Sequence, residues 1–185
     1  MRRRSFLTAG AGTISLAAFG QKVQDTRQAA PGLISAGTDR YGEHHTLGVS
    51  QTDFKVVTTD ARGGLFIMEH TNRKKGGPPR HLHHNEDEWF YAIEGDYVLE
   101  VGGRRIQLKA GDSALGPRGV PHTWAFVGET PGKMLIAFAP ANKMEEYFRS
   151  VERSGGRYSR WDSDEDKELM RACGMELLGP PLLVG

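Results

Sequence analysis

The chain reads as an all-β protein, a β-barrel or jelly roll with helices confined to its C-terminal end. Three observations predict this. From about residue 44 to residue 140, short segments rich in β-branched and aromatic residues follow one another, bounded by Gly, Pro and Asp. Two of them are joined by Gly102-Gly103, a pair suited to a two-residue hairpin turn. Apolar residues at helical spacing appear only after Pro140. Short strands at regular spacing with such turns argue for a closed or sandwiched antiparallel sheet. No internal repeat is visible, so one such domain is expected.

In chain order, the first segment is residues 1–20, opening Met1-Arg2-Arg3-Arg4-Ser5-Phe6-Leu7-Thr8. A twin arginine before Phe-Leu resembles a bacterial twin-arginine export signal. The mildly apolar run from Phe6 to Phe19 is too short to span a bilayer, so no stable membrane anchor is expected. Ala18-Phe19-Gly20 places small residues where a signal peptidase reads them, which predicts cleavage before Gln21 and a mature protein in the periplasm or outside the cell. The plainer alternative is a basic N-terminal arm. Residues 1–20 carry three Arg and no acid, so their removal moves the formal charge from +1 to −2. That balance gives no support for nucleic acid or an anionic membrane as partner. Cys173 is the single cysteine of the chain, which excludes an internal disulfide even in an oxidising compartment.

Residues 21–36 are polar with Ala, Pro and Gly and read as a linker or arm. The barrel is expected over 37–140. Phe54–Thr58 and Leu65–His70 are β-rich; Tyr97–Val101 and Arg104–Leu108 form the Gly-Gly hairpin; Met134–Ala139 is a continuous apolar strand expected to be buried on both faces. A helical extension is expected over 141–185. Met144, Tyr147, Phe148 and Val151 fall on one stripe, which predicts packing on the barrel, and Gly155-Gly156 ends that helix. Ser163-Asp164-Glu165-Asp166 resembles a capping box before Leu169, Met170 and Cys173. The apolar tail from Leu177 to Leu182 either covers the barrel mouth or forms a dimer contact.

The chemistry is concentrated in His81-Leu82-His83, Glu88 and His122. On a strand His81 and His83 share a face, about 6–7 Å apart in Cα, and two neutral imidazoles there can chelate one ion. Glu88 has the opposite parity. The polar, turn-prone His84-Asn85-Glu86-Asp87 supplies a bend that resets the register, so that Glu88, Phe90 and Ala92 point inward and Trp89, Tyr91 and Ile93 outward. His84 has no partner of matching parity and reads as exposed or as a supporting residue. His122 follows the turn-rich Gly116–Pro121, and its strand places His122, Trp124 and Phe126 on one face. A lone His-x-His is weak evidence. The pair with a carboxylate and a distant His after a Pro/Gly turn is stronger, because convergent buried His and Glu are costly without a partner. Such a set suits one divalent transition metal, Fe, Ni, Co, Mn or Zn.

These segments resemble the paired motifs of the cupin family. His81, His83, Glu88 and Gly95 meet the first motif, and Gly111, Pro117, Gly119 and His122 meet the second. Fifteen residues separate Gly95 from Gly111. Two positions depart: Lys75 stands where the family's leading Gly is found, and Phe126 where Asn is frequent. The resemblance implies a cupin-type jelly-roll β-barrel with a mononuclear metal held by His81, His83, Glu88 and His122, and by analogy a homodimer.

The single-domain layout, the His-rich start and the Gly-Pro-Pro-Leu tail are similar to quercetinase-like bacterial cupins. That implies an exported dioxygenase acting on a small aromatic or enolic substrate such as a flavonol. Glu88 would be both ligand and catalytic base, and Phe90, Trp124 and Phe126 would line the substrate pocket. Plain core filling is the competing reading of those aromatics. A metal-dependent isomerase or lyase and a non-catalytic metal- or ligand-binding cupin are the alternatives, the latter disfavoured because all four donors are present.

Overall fold

The computed structural model describes residues 32–155 and 162–184. The twin-arginine segment and most of the 21–36 arm lie outside the described residues. The strands are β1 (His45–Leu47), β2 (Ser50–Val56), β3 (Phe66–Asn72), β4 (Pro79–His83), β5 (Asp87–Glu94), β6 (Tyr97–Val101), β7 (Arg104–Leu108), β8 (Ser113–Gly116), β9 (His122–Phe126), β10 (Gly132–Ala139) and β11 (Met175–Pro181). Helices α1 (Met144–Arg153) and α2 (Asp164–Ala172) come between β10 and β11. The strands form two antiparallel sheets, one in the order β1-β2-β3-β10-β5-β8 and the other β11-β4-β9-β6-β7.

Alternation sets which side chains go inward. Along β3, Phe66, Met68, His70 and Asn72 are buried while the residues between them are half-exposed. On β5 the inward set is Glu88, Phe90 and Ala92. These positions join Phe54, Leu99, Ile136 and Phe138 in one apolar core. Each buried Phe there contributes about 1.5–3 kcal/mol of transfer free energy. The hairpin runs as its composition requires. Val101 pairs with Arg104, and Gly102 and Gly103 take φ of 56° and 80°, the left-handed backbone of a two-residue turn.

Gly77 answers a close approach. A Cβ there would sit 1.8 Å from the backbone oxygen of Trp124. With Gly76 paired to Phe126, this is where the chain leading into β4 crosses β9, so the Gly pair serves a role that the motif's Lys75 position does not.

Strand β2 starts earlier than its composition suggests. Ser50-Gln51-Thr52-Asp53 is polar, yet its backbone is paired to β1 on one side and β3 on the other. Helix α1 buries Met144, Tyr147, Phe148 and Val151, the stripe read from its spacing. Helix α2 is capped by Ser163, whose hydroxyl accepts from Asp166 N at 3.1 Å, and Cys173 is buried at its C-cap.

The segment 141–185 is not helical throughout. Met175–Pro181 is a strand that pairs antiparallel with β4, Met175 opposite His83 and Leu177 opposite His81. The free edge of β4 needs hydrogen-bond partners, and the tail supplies them. Its register breaks at Gly179 and Pro181, next to prolines that carry no N–H.

Candidate metal centre

His81 and His83 occupy alternate inward positions of β4. His122 begins the neighbouring β9 and pairs directly with His81. After His83 the chain bends through 84–86 and enters β5, which lies in the other sheet and turns Glu88 inward. The parity of Glu88 is thus resolved by a crossing between sheets whose inner faces oppose each other. One ligand atom from each of the four residues lies within 4.8 Å of the others, and all four residues are buried.

The geometry is specific about which nitrogens converge. His122 Nε2, His83 Nε2 and His81 Nε2 lie 2.8, 3.1 and 3.6 Å from the same oxygen, Glu88 Oε2. On the outer side His81 Nδ1 donates to Pro79 O at 2.8 Å and His122 Nδ1 to Val120 O at 2.9 Å. A carbonyl only accepts, so both Nδ1 atoms carry hydrogen. His83 Nδ1 is held at 2.7 Å by Glu86 Oε1. With each Nδ1 committed outward, the three Nε2 atoms face one another and a carboxylate.

Such a cluster needs a positive charge at its centre, from protons or from a cation. Burial lowers the His81 pKa, and Glu88 only partly opposes it. Burial also works against the charged form of His83, but Glu86 and Glu88 outweigh it and hold that imidazole at about 9. For Glu88 burial would raise the pKa, yet the hydrogen bonds from His122, His81 and His83 hold it well below the ordinary range. Three imidazoles and one carboxylate with lone pairs aimed at a common point fit a divalent transition metal.

Sequence reasoning does not single out Glu86. It is fully buried and receives His83 Nδ1 on one oxygen and Asn142 Nδ2, at 2.8 Å, on the other. In sequence it is one polar residue in a turn, with nothing to distinguish it from its neighbours. His84 points to solvent, 3.7 Å from Glu176.

A cavity with about 590 Å³ of empty space, counted to its open mouth, adjoins the donors. His81, His83 and Glu88 form one wall. Trp124, Ile136, Phe138, Met144, Tyr147 and Phe148 supply most of the apolar surface. Trp124 is one of the residues lining this cavity, and Phe90 and Phe126 are not. Phe90 sits edge-on behind His122 at 6.1 Å, and Phe126, two residues beyond Trp124 on β9, packs on Tyr97 at 5.4 Å. Both are core. The pocket is instead closed by helix α1, which a strand-by-strand reading does not bring there.

His70 on β3 also lines the cavity. Burial pushes its pKa down to about 4 despite the opposing charge of Glu88, so the ring is neutral. Sequence carries a signal for it: His70 shares parity with Phe66 and Met68, so it has to face inward.

The fold and site define a two-sheet β-barrel with a buried three-His, one-Glu donor set between its sheets. In the family comparison, residues 69–138 match the model described as Cupin domain. The chain is 27% identical over 66 residues to an uncharacterized protein of Methanocaldococcus jannaschii, covering 36% of this chain and 53% of that one. It is 27% identical over 116 residues to 3-hydroxyanthranilate 3,4-dioxygenase 2 of Aspergillus fumigatus, covering 49% and 62%. The chain thus spans between about half and three fifths of the length of these curated relatives. Among solved structures, an RmlC-like cupin from Shewanella frigidimarina matches with a TM-score of 0.46 and 23% identity over 56% of this chain and 87% of that one.

Proposed function

We propose that this protein is a mononuclear-metal dioxygenase acting on a small aromatic or enolic substrate, with His81, His83, Glu88 and His122 as the ligands. The observation that carries the reading is the convergence of three Nε2 atoms on Glu88 Oε2 while each Nδ1 is tied outward. A bound divalent transition metal supplies Lewis acidity and, if redox-active, the means to activate dioxygen.

The residues of the chain do the rest. Pro79 O, Val120 O and Glu86 set the orientation of the imidazoles. Glu88 is ionised and forms part of the cavity wall, where it can take a proton from an enol or phenol oxygen. Trp124, Phe138, Tyr147 and Phe148 exclude water and stack against a flat ring. The likeness to a dioxygenase named for a hydroxylated aromatic substrate supports this class of chemistry. Export through the twin-arginine pathway to the periplasm is part of the proposal and rests on Arg2-Arg3 and the apolar run that follows.

The test is oxygen uptake with a flavonol, quercetin, using protein loaded separately with Fe, Ni, Co, Mn and Zn. Uptake with at least one redox-active ion, absent with Zn, is expected. No uptake with any ion across flavonol, catechol and β-diketone substrates would reject the oxygenase reading and leave a non-oxidative metal enzyme.

A further inference from the structure

Of the polar side chains that line the cavity outside the donor set, His70 has a ring nitrogen left without a partner among the described residues. His70 Nε2 lies 2.9 Å from Met68 Sδ. A thioether has lone pairs and no hydrogen to give, so the imidazole is the donor and Nε2 carries the proton. A neutral ring has one N–H, which leaves Nδ1 as a lone-pair acceptor. Nδ1 is buried and has no hydrogen-bond partner among the described residues. Buried acceptors are normally satisfied, and this one belongs to a residue that lines the pocket. The ring is also braced: it stands edge-on to Trp124 at 5.4 Å and 87°.

We propose that His70 is a ligand-positioning residue whose Nδ1 accepts a hydrogen bond from a hydroxyl or amino group of a small ring compound, while other oxygens of that compound face His81, His83, Glu88 and His122. This rests on the metal reading above and extends it to the far side of the substrate. The chemistry selects in two ways. A carboxylate or an ether oxygen brings only lone pairs to Nδ1 and is rejected. A ring hydroxyl or amine brings the missing hydrogen and is retained. Apart from Ser50 and the Tyr147 hydroxyl the rest of the wall is apolar, so the compound carries few other polar groups on that side.

The test uses the zinc-loaded full chain and salicylates bearing a hydroxyl or a methoxyl at ring positions 3, 4, 5 and 6, with affinities measured by calorimetry. For at least one position the hydroxy compound should bind about tenfold more tightly than its methoxy twin, since methylation leaves a buried acceptor unpaired. In His70→Phe that ratio should fall to about one, whatever the change in affinity for salicylate itself. A ratio retained in His70→Phe, or no hydroxyl preference at any position in the unmutated protein, overturns the proposal. A second measurement needs no variant. Nitrogen NMR of the imidazoles should show His70 protonated on Nε2, with its Nδ1 resonance moving upfield when the preferred hydroxy compound is added; an Nδ1-protonated ring in the free protein overturns the proposal. Zinc content of the same samples reports separately on the ligand assignment. If the chain holds no zinc, that assignment fails, while the His70 tautomer still decides the present one.

Discussion

Two buried groups of histidine and carboxylate sit in this molecule and are built on opposite plans. In the candidate metal centre, three imidazoles share one oxygen of one carboxylate. At the outer end of β1, one imidazole is shared by two carboxylates. His45 Nδ1 lies 2.6 Å from Glu152 of α1 and its Nε2 lies 3.5 Å from Asp39. Asp39 in turn accepts the backbone N–H groups of Tyr41 and Phe54, and the His45 ring stacks on Phe54 at 4.2 Å. In this second group the anions outnumber the imidazole, and the contact between His45 and Glu152 fastens α1 to the sheet. In the first group three Nε2 atoms converge on one carboxylate oxygen, a cluster that could hold a metal ion. The ratio of imidazole to carboxylate and the direction in which Nδ1 is tied separate a structural histidine from a ligand one.

The sharpest way to break this contrast is His81→Ala. Removing one of four donors should lower metal affinity by more than about 100-fold, read by competition with a chelator and elemental analysis. Stoichiometric metal in that variant would show the donor set to be wrongly assigned.

The matching change in the other group is His45→Leu. It should leave metal content at the unmutated level and lower stability by about 1 kcal/mol in denaturant unfolding, through loss of the Glu152 bond and of the ring stacked on Phe54. Loss of metal in His45→Leu would mean that the two groups are coupled, which the contrast denies.

Glu86→Gln sharpens the picture of the ligand side. The amide oxygen can still accept from His83 Nδ1, but the charge is gone, so affinity should fall about tenfold with little change in the unfolding midpoint. An unchanged affinity would remove Glu86 from the support of the site.

The subtlest effect is in pH. Without an ion, His83 is protonated up to about 9. A metal needs the Nε2 lone pair and displaces that proton, so binding at pH 7.5 should release about one proton per ion, measured in weakly buffered solution, and affinity should climb as pH rises toward 9. The folded pKa lies above the ordinary histidine value. The ion-free protein therefore holds that stabilisation in full below about 6.5 and loses it as pH rises through about 9. Binding with no proton uptake or release would contradict the protonated ion-free state.

Much of the site is legible in the amino-acid sequence. The parity of His81 with His83, the bend before Glu88 and the turn-rich approach to His122 are local features, and local sterics and strand alternation act on them directly. The hairpin at Gly102-Gly103 and the stripe of α1 are of the same kind. Glu86 is not legible, because a carboxylate in a turn becomes a buried support only once Asn142, 56 residues away, closes on it. Phe90 and Phe126, expected in the pocket, lie in the core for a related reason. Alternation says that they face inward, but not which part of the interior they reach.

The sequence by itself determined the strand alternation, the turns and which four residues are the candidate donors, since each of these is decided by a residue and its near neighbours. The tertiary structure alone decided that Glu88 faces the histidines from the opposite sheet, that Met175–Pro181 completes the edge of β4, and that α1 walls the cavity. Those outcomes depend on which distant surfaces meet, and such meetings are set by burial over the whole chain and not by any short stretch of it.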